Sequence, residues 1–463
     1  MKKLIIFLCS LTVIISSLIV PASAQNYIDE LQKENGEKTV KLYCNVDFLM
    51  SLDDGSVVIE KNADTQVAPA SLTKIMTALV VLKNKDLNDT VTVSREAIES
   101  LYNTGSSVAG LKIGEQMSVY DMLCCLLIPS GNDAAAALAI AVGGTTENFV
   151  KMMNDTAKEL GCTKTHFVNP HGLDDPGHKT TAYDLAKITQ AALEYSAFKK
   201  IVASDTYQLP ATNMNDSRKL NNTNYLITKY RVTYYNPNCK GIKTGSTEEA
   251  GKCLVSYASK GGCEYLAIAM GGDQIDTDHD GITENQAFMD SNKMYNWAFK
   301  TLKFEIVTRT NQFICSAPVK YSWKNDSVSL VAKNELISLV PQGNNSESVS
   351  FKPTELPEFF AAPIKKGDTL GKASVIYSGK EIGTVDLVAS EDISMSIILY
   401  GLAKLGTLLK NPVAIIIIVL IFLFAVLYGV MYFRTNRRRK KRRQIKVVKY
   451  NELQRNTQSK KRK

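Results

Sequence analysis

Residues 412–433, PVAIIIIVLIFLFAVLYGVMYF, form a run of 22 residues without a charged side chain. At about 1.5 Å rise per residue, a helix of that length covers the ~30 Å hydrocarbon core of a bilayer. A membrane is a more natural solvent for it than a protein core, so the rest of the chain is sorted to one side or the other. Residues 434–463 follow with fifteen Lys or Arg and one acid, Glu452, a local charge of +14. Basic flanks stay on the cytoplasmic side. The tail is therefore expected inside and residues up to about 411 outside.

The opening MKKLIIFLCSLTVIISSLIVPASAQ has the layout of a secretory signal peptide: Lys2 and Lys3, an apolar run, then Ala22-Ser23-Ala24 before Gln25. Cleavage is expected after Ala24, giving a single-span type I cell-membrane protein with its large domains outside. Removing the tail's +14 and the leader's +2 from the overall +9 leaves about −7 for the external part. The basic balance of the whole chain therefore does not point to nucleic acid. The tail is suited to anionic lipid headgroups. Eight cysteines remain beyond the leader, Cys44, Cys124, Cys125, Cys162, Cys239, Cys253, Cys263 and Cys315, sparse for a disulfide scaffold and without a CxxC pair. They read as mostly buried small hydrophobes. Neither a metal nor another cofactor is expected.

Between residues 25 and 305 helix-like apolar segments (71–82, 120–128 and 133–142) alternate with β-rich ones (254–257 and 265–270), which predicts an α+β, mixed catalytic domain. From 306 to 392 the pattern turns to short alternating runs, "VKYSW", "VSLVAK", "LISLVP" and "ASVIYSGKEIGTVDLVA", with Ser378-Gly379-Lys380 as a hairpin turn. A small all-β domain is predicted there. Residues 393–411 read as an amphipathic juxtamembrane linker.

Three short motifs occur in order: Ser71-Leu72-Thr73-Lys74, then Ser130-Gly131-Asn132 and Lys243-Thr244-Gly245. Three residues apart at a helix start, Ser71 and Lys74 share a face, where an amine can take a hydroxyl's proton. A nucleophilic serine made this way forms an acyl-enzyme, provided Lys74 is neutral. Burial and a second ammonium, Lys243, both favour that state. Ser130, in a turn between two apolar helices, is placed to pass a proton to a leaving amine, and Asn132 to hold a substrate amide. Serine and asparagine at a turn are also ordinary helix caps. Lys243 and Thr244 offer a charge and a hydroxyl to a carboxylate, and Gly245 lets a strand edge approach the ligand.

Together the motifs form the set of penicillin-binding proteins and class A β-lactamases. With "APASLTKIMTAL", "LLIPSGNDAAAALA", "NPHGLDDPGHKTTAYDLAKI", "GIKTGSTEEAGKCLV" and "APIKKGDTLGKASVIYSGKEIGTVDLVA", residues 26–390 resemble the serine D-alanyl-D-alanine carboxypeptidases, the low-molecular-weight penicillin-binding proteins. The resemblance implies a transpeptidase-like α/β domain and a trailing β-sandwich-like domain. It implies peptidoglycan stem peptides ending in D-Ala-D-Ala as substrate, and β-lactams as covalent inhibitors. It also implies an oxyanion hole from the backbone N–H groups of Ser71 and Ser246. A D,D-endopeptidase cutting cross-links is the alternative reading, and an idle wall-binding module a further one.

A class A β-lactamase would need a glutamate acting through water, and Glu147, Glu159 and Glu194 all lie outside an E-x-x-x-N context. His171 and Asp174 invite a Ser-His-Asp triad, but Lys74 one turn from Ser71 makes the segment a loop bordering the site instead. Asp276, Asp278, Asp280 and Gly281 begin like a calcium loop, but the twelfth position is Ala287 where a bidentate Glu belongs, so a solvated acidic loop is expected.

Overall fold

The structure is a computed structural model that describes residues 41–276, 281–342, 349–377 and 380–460. The expected leader, the hairpin-turn residues Ser378 and Gly379, and Asp278 and Asp280 lie outside them. Two compact units are present. The first comprises residues up to 309 with 335–352 and 374–385, the second 310–334, 353–373 and 386–463.

The first unit is built on a five-stranded antiparallel sheet. Its strands are β1 (Val46–Ser51), β2 (Val57–Lys61), β3 (Cys239–Thr247), β4 (Gly251–Lys260) and β5 (Cys263–Gly272), in the order β2-β1-β5-β4-β3. The 254–257 and 265–270 expectations fall inside β4 and β5, which run longer. A Gly261-Gly262 turn joins them, with φ of 61° and 84°, the positive values that a two-residue turn matched to strand twist requires. Side chains alternate across the sheet. Tyr265, Ala267 and Ala269 enter one apolar cluster, and Leu266, Ile268 and Met270 the other.

One face is covered by the helix Gln286–Thr301, which is capped by Asn285 and brings in Phe288, Met294, Tyr295 and Trp297. The other face carries a helical layer: α1 (Thr73–Asn84), α2 (Val119–Leu127), α3 (Asn132–Gly143), α4 (Thr146–Glu159) and α5 (Ala182–Leu193). The expected helices match α1, α2 and α3 to within two residues at each end. Ser118, Thr145 and Thr181 cap α2, α4 and α5 by accepting from backbone N–H groups in their first turns. Every residue of α1 from Thr73 to Val81 is buried. A helix apolar on all sides belongs in a core, and α1 has α2, α3, α4 and α5 around it. The strand β6 (Leu302–Thr308) pairs with β9 (Leu336–Pro341), register Phe304 to Leu339.

In the second unit β7 (Phe313–Lys320) and β8 (Ser327–Ala332) are antiparallel, and Leu330 of β8 pairs with Ala389 at the end of the strand Lys380–Ala389. The helix α6 (Ile397–Leu408) is capped by Ser396, and its Tyr400 meets the Tyr321 ring edge-on at 5.4 Å. Asn411 then caps α7 (Pro412–Lys460), with Pro412 at the first helical position, where its missing N–H costs nothing. The apolar start of α7 is long enough to cross a membrane, and none of it is buried in the protein. The helix continues through the basic residues, which sequence alone had left without structure. The eight cysteines among the described residues are free thiols: six buried, with Cys263 and Cys315 half-buried.

Candidate active site

Ser71 is half-buried and lies in a short 3-10 turn, Ala70–Leu72, that leads into α1 at Thr73. The turn, rather than the helix expected from residue 71, carries the nucleophile candidate. No side chain caps the start of α1 and no acid sits in its first turn. The amides entering α1 are paired within the turn instead, Leu72 N–H with the Pro69 carbonyl at 3.2 Å and Thr73 N–H with the Ala70 carbonyl.

Lys74 is fully buried, and its Nζ touches three oxygens: Ser71 Oγ at 2.9 Å, Asn132 Oδ1 at 2.6 Å and the His171 carbonyl at 2.7 Å. A neutral amine has two N–H bonds and one lone pair. Asn132 Oδ1 and the His171 carbonyl have no proton to give, so the two N–H bonds are spent on them. The lone pair is left for the Ser71 hydroxyl. Burial, and secondly the charge of Lys243, hold Lys74 well below the ordinary lysine range against a smaller opposing pull from Asp133. That carboxylate is occupied elsewhere, accepting from the backbone N–H groups of Ala109 (2.8 Å) and Leu111 (3.0 Å).

Ser130 sits in the α2–α3 turn, nearly buried, with φ of 65°, a left-handed conformation that non-glycine residues hold mainly where function or packing compels it. Asn132 opens α3. Its Oδ1 accepts one Lys74 N–H at 2.6 Å, which leaves Nδ2 as the end able to donate to a substrate. Among the described residues, no side-chain hydrogen bond ties the Ser130 hydroxyl to this group.

Lys243, Thr244, Gly245 and Ser246 lie on β3, the last strand of the sheet. A Cβ on Gly245 would stand 3.1 Å from Ala70 Cβ and 3.2 Å from the Pro69 carbonyl, so glycine is what lets β3 lie against the Ser71 turn. Lys243 is buried and donates to the Thr244 carbonyl at 3.0 Å, and burial lowers its pKa to about 7. Ser246 is exposed and accepts from Lys252 Nζ at 3.2 Å.

Two further contributors are the loop around His171, which the sequence reading took only as bordering the site, and Thr223, which it did not single out. The loop 168–178 supplies the His171 carbonyl to Lys74 and the Pro170 carbonyl to Thr77 (2.6 Å). Its Gly172, at φ of 89°, passes so close that a Cβ would stand 1.8 Å from the Ala70 carbonyl oxygen. Thr223 is the second. Its N–H donates to the Ile128 carbonyl at 3.2 Å and its hydroxyl meets that of Thr244 at 2.6 Å, tying the Ser130 turn to β3. No motif marks either, beyond the glycine in "NPHGL".

The His171 ring is half-buried, its pKa lowered to about 3 chiefly by desolvation, and its Nδ1 accepts from Leu173 N–H at 3.3 Å. The ring is a neutral loop element, and only the main chain of His171 reaches the site. Glu147 and Glu194 are exposed, and Glu159 pairs on the surface with Lys83 at 2.7 Å. Cys44, Asp47 and Asp290 bring ligand-type atoms within 4.8 Å of one another. Lys61 Nζ lies 3.3 Å from Asp47 and Lys293 Nζ 3.1 Å from Asp290, yet burial and the neighbouring Asp290 still push the Asp47 carboxyl up to about 8.

The family profile described as D-alanyl-D-alanine carboxypeptidase matches residues 33–274. The chain belongs to this family. The profile described as penicillin-binding protein 5, C-terminal domain, matches residues 307–394. Among the relatives of this carboxypeptidase, DacF of Bacillus subtilis is 33% identical over 368 residues, spanning 78% of this chain and 89% of that one. DacC of Escherichia coli is 34% identical over 361 residues, spanning 75% and 83%. Both are D-alanyl-D-alanine carboxypeptidases. Penicillin-binding protein 5 from Haemophilus influenzae has a similar crystal structure, with TM-score 0.58 and 28% identity, covering 76% of this chain and 98% of its own. The α/β catalytic fold followed by a β-rich domain is the one the sequence implied.

Proposed function

We propose that this serine D-alanyl-D-alanine carboxypeptidase uses Ser71 as nucleophile, Lys74 as its base and Ser130 as the proton relay to the leaving D-alanine. The three oxygens around Lys74 Nζ are the observation that carries the reading. As Ser71 Oγ attacks the carbonyl between the two terminal D-alanines, its proton moves to the Lys74 lone pair. The negative charge forming on the carbonyl oxygen meets the N–H groups of Ser71 and Ser246. The proton passes from Lys74 through Ser130 to the amine of the departing D-alanine, and Ser71 is left acylated. Water releases the shortened peptide. Asn132 Nδ2 holds the peptide backbone, and the ammonium of Lys243, with Thr244, takes the terminal carboxylate that marks a free stem-peptide end.

The leaving group separates trimming from cross-link cutting: trimming expels a single D-alanine, whereas cutting a D,D-cross-link expels an amine carried on a second, bulkier stem peptide. Full-length enzyme in detergent, given a soluble pentapeptide and separately cross-linked muropeptides, is expected to release D-alanine from the first far faster than it opens the second. Faster opening of cross-links would replace the carboxypeptidase assignment with the endopeptidase one.

For the domains we take 1–24 as signal peptide, 25–305 as catalytic, 306–392 as the β-rich part, 393–411 as a juxtamembrane linker, 412–433 as the membrane span and 434–463 as a cytoplasmic tail. The tail's charge supports this orientation, and places its arginines and lysines at the anionic inner leaflet. Trypsin added to right-side-out vesicles should remove the catalytic part and spare the tail. Loss of a C-terminal epitope from sealed vesicles would reverse the orientation.

A further inference from the structure

We propose that His178 is a positioning residue that, through Thr73, fixes the peptide plane between Ala70 and Ser71 and so aims the Ser71 N–H at the oxyanion. The inference rests on the reading of Ser71 as nucleophile and oxyanion donor. His178 is buried and touches neither Ser71 nor Lys74; its ring meets Phe167 edge-on at 5.6 Å.

The donors and acceptors around it define one direction. Val168 N–H lies 3.0 Å from His178 Nδ1, and a backbone N–H only donates, so Nδ1 carries the lone pair. In the neutral ring Nε2 then bears the hydrogen. Nε2 lies 2.8 Å from Thr73 Oγ1, and Thr73 gives its own hydroxyl proton to the Ala70 carbonyl at 2.8 Å. The chain runs from Val168 N–H to the ring, from Nε2–H to Thr73, and from Thr73 O–H to the Ala70 oxygen. Burial keeps the ring neutral by lowering its pKa to about 4, which preserves that order.

What the chain holds is a strained turn. Ala70 has φ of 48°, a left-handed backbone that an alanine enters at a cost. Its carbonyl oxygen is hemmed from the other side by Gly172, where a Cβ would stand 1.8 Å away. A trans peptide is planar, with its C=O and the following N–H pointing in opposite directions. Fixing the Ala70 oxygen therefore fixes the direction of the Ser71 N–H. Glutamine offers one donor and one acceptor on a side chain of similar reach, whereas leucine fills the space and offers neither.

The test is the rate of acylation by benzylpenicillin in full-length protein in detergent, expressed per site that finally labels. His178→Leu and Thr73→Val are each expected to slow acylation about 10–100-fold, less than the loss of a whole oxyanion donor, with the drug concentration at half-maximal rate little changed. His178→Gln and Thr73→Ser should stay within a few-fold of wild type. Because both residues act through one carbonyl, Thr73→Val with His178→Leu together should be no slower than the worse single variant. The positioning role is overturned if His178→Leu and Thr73→Val acylate within threefold of wild type per labelled site, or if their losses multiply. A merely structural role would show itself in that way, through fewer labelled sites or a lower melting temperature at unchanged rate. Should wild-type protein label at a residue other than Ser71, the underlying reading fails and this one with it.

Discussion

Ser71→Ala is expected to abolish D-alanine release, by at least about 10⁴-fold, while the protein folds as before. The side chain is half-buried in a short turn, so removing one oxygen sacrifices little packing. Lys74 keeps its other two acceptors, Asn132 and the His171 carbonyl. What disappears is the atom that must form the acyl bond. The same variant should carry no adduct after benzylpenicillin, whereas wild type should be labelled about one-to-one on Ser71 and stay labelled far longer than a peptide turnover. The leaving nitrogen of the opened lactam remains tethered, and the acids weighed for activating water are engaged elsewhere: Glu147 and Glu194 face solvent, Glu159 pairs with Lys83, and the carboxylate of Asp133 is committed to backbone N–H groups. Intact-protein mass spectrometry after excess drug is removed decides the matter. An adduct lost within seconds, with steady drug hydrolysis, would make the enzyme a β-lactamase, and D-alanine release by Ser71→Ala above a hundredth of wild type would remove Ser71 from the nucleophile's role.

Lys74→Arg is expected to fail nearly as completely, by about 10²–10⁴-fold or more, although it conserves charge. A guanidinium stays protonated at any usable pH and has no lone pair to offer the hydroxyl. It would also introduce a permanent charge into a fully buried position. An active Lys74→Arg enzyme would rule out the base. The wild-type pH profile is the companion measurement, because the two lysines must be in opposite states. The proposed base must be neutral, the state toward which burial and the charge of Lys243 push Lys74. Lys243 must keep its proton to meet the substrate carboxylate, and its pKa is about 7 without ligand. Raising the pH through about 7 should therefore lower kcat/KM, which reports the free enzyme. A bound carboxylate stabilises the ammonium, so the corresponding limb of kcat should lie higher. A flat kcat/KM from pH 6 to 9 would remove Lys243 from carboxylate recognition.

The proposed chemistry was legible where side-chain identity carries it. Ser71 and Lys74 lie within one helical turn, so their pairing is a local consequence of spacing, and the uncharged surroundings of Lys74 announce the burial that neutralises it. The Ser130 turn, the Gly245 strand and the uncharged 412–433 segment could be read for the same reason: apolar pattern and glycine act locally. The tertiary structure alone decided the rest of the base's environment. The His171 carbonyl that fixes one Lys74 N–H comes from 97 residues away, and any amino acid at 171 would offer the same oxygen, so no motif could announce it. The sequence suggested that Asn132 would serve the substrate; the fold turns its Oδ1 to Lys74, because across 58 residues only packing determines which end of an amide faces a donor. Thr223, the left-handed turn at Ala70 and the His178 chain behind it are invisible for the same physical reason. Main-chain groups are chemically alike at every position, and only the assembled fold decides which of them meet and in what direction they point.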